Sequence, residues 1–255
     1  MSRRRYNTAL VTGAGKRVGR ALALDLAGRG FAVAVHVNAS REDGAQVVDA
    51  IVSRGGRATL VNADLADIQA LEPMWQEAVG ALGPIDVLIN NASLFEDDRA
   101  PFVAPALWDR HMAVNLRAPV FLSQFLAHGV AEGERADVIN IIDQRVWKLN
   151  PQFISYTLSK SALWTATRTL AQALAPTVRV NAIAPGPTLS NSRQAPEDFN
   201  TQVEATLLRE ASRPEEIAKA IAYLLESEAV TGQMIAVDGG QHLIWRTPDV
   251  DGIRE

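Results

Sequence analysis

The chain is predicted to form a single doubly wound α/β domain, with a seven-stranded parallel sheet of Rossmann type and helices on both faces. Three observations predict it. Seven short, nearly all-apolar runs alternate with longer helical patterns along the 255 residues. Such runs mark strands buried on both faces, as in a parallel sheet covered by helices. A glycine-rich turn, Thr12-Gly13-Ala14-Gly15-Lys16-Arg17-Val18-Gly19, lies between the first strand and the first helix. The composition, 47% apolar and 21% charged, is that of an ordinary globular protein with a sizeable core.

Ala9-Leu10-Val11 is the first strand and Ala21–Ala27 reads as the helix after the turn. Phe31–Val35 is the second strand, followed by a helix over Gly44–Val52 with Ser40 as a candidate N-cap. Ala58–Val61 is the third strand, with a helix over Ile68–Leu82. Ile85–Ile89 is the fourth strand, with a helix from about Pro105 towards Val130. Asp137–Ile142 is the fifth, with a long helix over Tyr156–Leu174. Val178–Ile183 is the sixth, helices follow near Gln202–Arg209 and Pro214–Leu225, and Met234–Val237 is the seventh. Neither a repeat nor a linker interrupts this rhythm, so residues 1–255 are read as one domain. The Pro-, Ser-, Asn- and Thr-rich stretch that follows the sixth strand, at about 185–212, is expected to be a substrate loop or lid.

Composition also excludes functions. A net charge of −4 argues against nucleic acid as a partner. With no cysteine there is no disulfide, thiolate metal site or cysteine nucleophile. No apolar run approaches the ~20 residues of a membrane span. The leading Met1-Ser2-Arg3-Arg4-Arg5 precedes too short an apolar stretch for a signal peptide, so a cytoplasmic protein is expected. His111, His128 and His242 lack metal-ligand spacing, and no metal is expected. Trp147 and Trp164 are candidates for the pocket or a subunit contact, Trp75, Trp108 and Trp245 for packing. Glu96-Asp97-Asp98 reads as a solvated loop, near enough to Phe95 to shape the pocket entrance.

The glycine turn carries the first chemical signal. Glycines let the backbone approach a pyrophosphate, to which a helix N-terminus offers N–H groups. An NAD-binding chain would place a carboxylate at the end of the second strand, on the ribose 2′-hydroxyl. Here that region reads His36-Val37-Asn38-Ala39-Ser40-Arg41. Lys16, Arg17 and Arg41 are expected to gather near a 2′-phosphate, which favours NADPH over NADH. The second signal is Tyr156-Thr157-Leu158-Ser159-Lys160, which sets Tyr and Lys on one helix face. A neighbouring ammonium would lower the phenol pKa and make Tyr156 a usable proton donor.

With Asn90-Asn91-Ala92-Ser93 at the end of the fourth strand, these residues resemble the short-chain dehydrogenase/reductase family over nearly the whole chain. Also matching are Asp64-Leu65, Asn115, Pro185-Gly186, and Thr231-Gly232 with Val237-Asp238-Gly239-Gly240. The resemblance implies that Asp64 and Leu65 border the adenine and that Asn91 and Ala92 pass beneath its ribose. It implies that Pro185-Gly186 borders the nicotinamide, that Lys160 holds the nicotinamide ribose, and that Asn115 organises a water relay behind Lys160. It also implies a homotetramer. Asn115 can alternatively be a helix-bending residue beside Pro119, and Asp238-Gly239-Gly240 a tight turn.

Three departures matter. Arg17 stands where many members carry glycine, Ser93 where most have glycine after Asn-Asn-Ala, and Asp143, thirteen residues before Tyr156, where most have a catalytic serine. An ionised carboxylate accepts hydrogen bonds and does not donate them unless burial keeps it protonated, which disfavours a plain ketone and suits a substrate rich in N–H donors or a ring nitrogen awaiting a proton. This set looks like the pteridine reductase branch, which includes the bacterial dihydromonapterin reductases. That likeness places Phe95 against the pterin ring, Arg17 on both cofactor and pterin, and His36 and Ser40 at the 2′-phosphate; a core or lid aromatic is the other reading of Phe95. It implies hydride transfer from NADPH to a C=N bond of dihydromonapterin, dihydrobiopterin or dihydrofolate. Asp143, Tyr156, Lys160 and Asn115 would be catalytic, and Arg17, Ser93, Phe95, Asp143 and Tyr156 would touch substrate. The alternatives are a carbonyl reductase of the same family, acting on a 3-oxoacyl thioester or small ketone, and a non-catalytic NADPH-binding regulator.

Overall fold

The order in which the strands pair decides where a ligand crevice opens. The computed structural model describes residues 7–190, 195–247 and 250–252. Among them, β1 (Thr8–Val11), β2 (Ala32–Val37), β3 (Ala58–Asn62), β4 (Val87–Asn90), β5 (Ala136–Ile141), β6 (Val178–Pro185) and β7 (Met234–Val237) form one sheet of order β3-β2-β1-β4-β5-β6-β7. Every neighbouring pair is parallel. The chain winds outward from β1 to β3, then returns to β4 on the other side. The reversal leaves a crevice at the carboxyl ends of β1 and β4, where the glycine turn and the Asn90-Asn91 segment sit.

Side-chain alternation explains the two layers of helices. Ala9, Val11, Val33, Val35, Val87, Ile89 and Ile139 face one core, shared with Leu22 and Leu26 of α1 (Arg17–Gly28), Val47 and Ile51 of α2 (Arg41–Val52), and Ile217, Ile221 and Leu224 of α8 (Pro214–Glu226). Leu10, Ala34, Leu88, Val138 and Val180 face the other. There they meet Leu71, Met74 and Trp75 of α3 (Ile68–Leu82) and Leu122 and Leu126 of α5 (Ala118–Gly129). A strand apolar at every position is thus two half-strands, one for each core.

The departures from expectation are local. The helix expected from Pro105 towards Val130 is α4 (Pro105–Met112), a π-helical turn at Ala113–Arg117, and then α5. The helix expected near Gln202–Arg209 is instead α7 (Pro196–Glu204). Proline at its start needs no N–H partner, and Glu197 and Asp198 favour the positive helix end. The expected lid therefore contains a helix, while its residues 191–194, like the N-terminal arginines, lie outside the described residues. Ser40 occupies the N-cap position of α2 but makes no side-chain capping bond. Its ψ of 54° departs from the extended backbone that aims an N-cap hydroxyl at the first turn. Among the described residues no helix is long and apolar enough to cross a membrane.

Candidate active site

The two sequence motifs at the crevice form one hydrogen-bonded unit. The Thr12 hydroxyl oxygen accepts the N–H of Asn91 and of Ala92, both at 3.0 Å. The Asn91 amide donates to the carbonyls of Thr12 at 2.8 Å and Gly13 at 3.2 Å. Gly13 lies at φ +64°, and a Cβ on Gly19 would stand 2.2 Å from the Gly13 carbonyl oxygen. The glycines are thus required by close approach of backbone to backbone.

His36 holds this turn from behind. Its Nδ1 accepts the Gly13 N–H at 3.1 Å, so Nε2 carries the proton and donates to the Ala63 carbonyl at 3.1 Å. Burial pushes its pKa down to about 4, and the ring is neutral at ordinary pH. The expectation that His36 serves a 2′-phosphate is corrected in one respect: the ring lines the cavity, but both nitrogens are engaged by backbone.

A cavity of about 420 Å³ opens over the turn. Gly13, Lys16, Arg17, Val18, Gly19, His36, Asn38, Asp64, Leu65, Asn91, Ala92 and Ser93, all expected from sequence, line it. Leu94, Arg110 and Val114 line it too and were not foreseen. Ser40, Arg41, Pro185 and Gly186 are not in its wall. The N–H of Gly186 is bound to the Ser212 hydroxyl at 2.9 Å and the Val237 carbonyl at 3.1 Å.

Of the three cations expected to converge, Lys16 and Arg17 are held by other partners. Lys16 pairs with Asp43 at 2.9 Å. Arg17 donates to the carbonyls of Leu189 at 2.8 Å and Ser190 at 2.6 Å, tying the glycine turn to the stretch that follows β6. Its backbone is left-handed, with φ +52°, which explains glycine at this position in many relatives of the family.

The residues expected to be catalytic meet near the start of α6 (Ile154–Leu174). The Tyr156 hydroxyl donates to Oδ2 of Asp143 at 2.8 Å, while Oδ1 accepts the Arg145 N–H at 2.8 Å. Burial, and then the charge and hydrogen bond of Asp143, push the Tyr156 pKa well above its ordinary value. This corrects the expectation of a lowered phenol: the Lys160 ammonium lies 5.9 Å from the ring centroid and donates to the Ile141 carbonyl at 2.8 Å. Lys160 itself is brought down to about 8 by burial, against the opposing charge of Asp143. The Ser93 hydroxyl is within hydrogen-bonding reach of Tyr156 and, with the Arg145 charge, favours the phenolate.

Phe95 stands edge-on to Tyr156, with centroids 4.6 Å apart, and is stacked on Phe153 at 4.3 Å. Asn115 is bonded to Leu94 and Ser159. Its side chain brackets Leu94, accepting the N–H at 2.8 Å and donating to the carbonyl at 2.9 Å, and donates to the Ser159 hydroxyl at 3.0 Å. It lies in the π-helical turn, a feature often found at functional sites.

Sequence reasoning missed Arg145, Phe153, Asp98, His111 and Ser155. Asp98, expected in a solvated loop, is 7% exposed and bonded to Ser155. Trp245, expected to pack, is 60% exposed, and Trp147 rests against His242 at 4.9 Å. Asp238 accepts the N–H of Gly240 and of His242, so Asp238-Gly239-Gly240 is a turn. Among the described residues no group of three or more metal-ligating side chains is assembled.

A family model described as enoyl-(acyl carrier protein) reductase matches residues 13–242. The chain is 31% identical over 241 residues to the 3-oxoacyl-[acyl-carrier-protein] reductase FabG of Staphylococcus epidermidis, covering 92% of this chain and 99% of that protein. It is 30% identical over 248 residues to a short-chain type dehydrogenase/reductase of Picea abies, covering 91% of each. Among solved structures, FolM alternative dihydrofolate reductase 1 from Brucella canis, complexed with NADP, superposes with a TM-score of 0.93 at 52% identity, covering 96% of this chain and 97% of that one. The angucycline C-6 ketoreductase LanV, with bound NADP, gives 0.85 at 32% identity, covering 93% and 96%.

Proposed function

The chain belongs to the short-chain dehydrogenase/reductase family, and from that premise we propose that it reduces a C=N bond of a dihydropterin, free or as dihydrofolate, with NADPH. It is an NADP-dependent oxidoreductase. The residues present fit the cofactor. The backbone cradle at Gly13 and Gly19 leaves no room for a Cβ, and the residues directly after β2, Asn38-Ala39-Ser40-Arg41, include no carboxylate to repel a 2′-phosphate. Gly13, Val18 and Gly19 would hold the pyrophosphate, Lys16, Arg17, Asn38, Ser40 and Arg41 the 2′-phosphate side, and Asp64, Leu65, Asn91 and Ala92 the adenosine. Lys160, Pro185 and Gly186 would hold the nicotinamide end. NADPH supplies the hydride.

One observation carries the substrate reading: the hydroxyl of Tyr156 is bonded to the carboxylate of Asp143, with Phe95 against the Tyr156 ring. A carboxylate does not polarise a ketone by donation, but it accepts from pterin N–H groups. Phe95 offers a flat apolar face to a heteroaromatic ring. The ring carbon takes the hydride and the adjacent nitrogen takes one proton, giving the tetrahydropterin and NADP⁺. Tyr156 donates that proton. A phenolate left beside an ionised Asp143 is penalised, so Asp143 takes up a solvent proton and passes it to Tyr156 as the transfer proceeds. The 52% identical FolM structure supports this reading, and Leu189 and Ser190, gripped by Arg17, lie in the stretch expected to be a substrate loop or lid. The reading includes a homotetramer in the cytoplasm, the former testable by light scattering.

The test is NADPH oxidation by the purified chain with dihydromonapterin, dihydrofolate and an acetoacetyl thioester side by side. Turnover of a dihydropterin, lost in Phe95→Ala through a raised KM, supports the proposal. Turnover of the thioester alone overturns it in favour of a carbonyl reductase. NADPH binding without turnover of any of them favours a regulator.

A further inference from the structure

Between β4 and α4, residues 91–99 adopt no regular secondary structure. Beyond the Thr12 contacts of Asn91 and Ala92, side-chain hydrogen bonds at Leu94, Glu96 and Asp98 hold the segment. Asn115 brackets Leu94, as described. Nε2 of His111 accepts the Glu96 N–H at 3.3 Å. The Asp98 carboxylate accepts the Ser155 N–H at 3.1 and 3.2 Å and also the Ser155 hydroxyl.

The last two points are joined. His111 Nδ1 lies 2.6 Å from the Ser155 hydroxyl oxygen. Because Nε2 accepts from Glu96, Nδ1 carries the proton and donates it to Ser155, whose own proton goes to Asp98. Every donor then meets an acceptor in one consistent direction. His111 and Ser155 are fully buried and Asp98 nearly so. Burial lowers the His111 pKa, with Asp98 and Glu96 opposing, which favours the neutral ring this chain of bonds needs. A satisfied buried polar network specifies one arrangement, because any slip leaves a group unpaired in low dielectric.

The network's place in the chain gives it a role. Glu96 directly follows Phe95, and Ser155 directly precedes Tyr156. The bonds therefore run between the immediate neighbours of the two rings that meet at 4.6 Å. We propose that His111, Ser155 and Asp98 are positioning residues that set the spacing of Phe95 from Tyr156 and so select a flat ring as substrate. The substrate part rests on the pterin reading above; the positioning part does not.

His111→Asn and His111→Gln separate the contacts. A Gln amide oxygen reaches the Nε2 position and accepts from Glu96; the shorter Asn does not. His111→Asn is expected to raise the dihydropterin KM about tenfold, the worth of one buried hydrogen bond, with kcat and the NADPH KM within about twofold. His111→Gln is expected to recover most of that loss. On a Phe95→Ala background, His111→Asn is expected to add nothing further, since the ring it positions is gone. On the full chain with NADPH, Glu96 amide exchange is expected to accelerate about tenfold in His111→Asn. Should that variant not fold, Ser155→Ala, which deletes only the central hydroxyl, carries the same expectations. An unchanged dihydropterin KM, an equal rise in the NADPH KM, or a full effect on the Phe95→Ala background overturns the proposal. If the unaltered chain turns over no dihydropterin, the pterin reading fails, and unaltered Glu96 exchange would separately defeat the positioning role.

Discussion

The Tyr156 hydroxyl donates to the Asp143 carboxylate across 2.8 Å, and the phenol is held in its neutral form by burial and by that carboxylate. A proton donor that stays loaded at neutral pH suits delivery to a ring nitrogen. Tyr156→Phe removes the donor and is expected to lower kcat by about 10²- to 10⁴-fold, the usual worth of a general acid. Asp143→Asn keeps the shape but not the relay and is expected to lower kcat by at least about tenfold. Titrating NADPH by fluorescence should show affinity within about threefold of the unaltered chain for both; a kcat left intact in Tyr156→Phe would remove Tyr156 from the chemistry.

His36 makes the cofactor turn sensitive to acid. Its pKa is about 4 in the folded chain, against 6.5 ordinarily, because burial disfavours the charged ring. The unfolded chain therefore binds the proton first. The stability that the neutral ring contributes is complete above pH 6.5 and is lost as pH falls towards 4. The loss across that window is on the order of 3 kcal/mol. His36→Asn, whose carbonyl can replace Nδ1 without titrating, should show a flatter acid limb in denaturant unfolding at stepped pH.

Arg17 combines a strained backbone with a useful side chain. At φ +52° any Cβ costs about 1 kcal/mol or more, and its guanidinium grips Leu189 and Ser190. Arg17→Ala loses the grip and keeps the strain, whereas Arg17→Gly loses both. Thermal unfolding should find Arg17→Gly more stable than Arg17→Ala by about 1 kcal/mol, with both variants raising the KM for NADPH.

Asp137 and Arg179 lie opposite each other on β5 and β6 and form a buried ion pair at 2.8 Å. Arg179 also donates to the carbonyls of Leu224, Leu225, Ser227 and Val230, closing the end of α8. Asp137→Ala leaves the guanidinium without its carboxylate and is expected to cost about 3–5 kcal/mol in urea unfolding. Asp137 lies at the start of β5, whereas Asp143, which holds Tyr156, follows the strand's other end, so kcat of the folded fraction should be unchanged.

Much of the site was legible because its signals are short-range. The glycine turn, Asn91-Ala92 and the Tyr156–Lys160 pair are local patterns that impose one backbone geometry each, and twelve of the residues expected at the cofactor line one cavity. What failed were statements about environment. Lys160 was expected to lower the Tyr156 pKa because four residues separate them on a helix. Its ammonium is instead spent on the Ile141 carbonyl, and the nearer charge on Tyr156 is Asp143. Three neighbouring cations were expected to converge, but Asp43 and the 189–190 carbonyls take two of them.

The sequence by itself determined the sheet, the order of its elements and the crevice, since strand and helix periodicities and the winding rule act over a few residues at a time. The tertiary structure alone decided which polar residues are buried and with whom. Glu96-Asp97-Asp98 reads as a solvated run until Ser155, 57 residues away, is seen to bury Asp98. His111 reads as an isolated histidine until Ser155, 44 residues on, accepts its proton. Protonation and burial depend on what lies across the fold, and a hydrogen bond between such distant residues leaves no period in the chain.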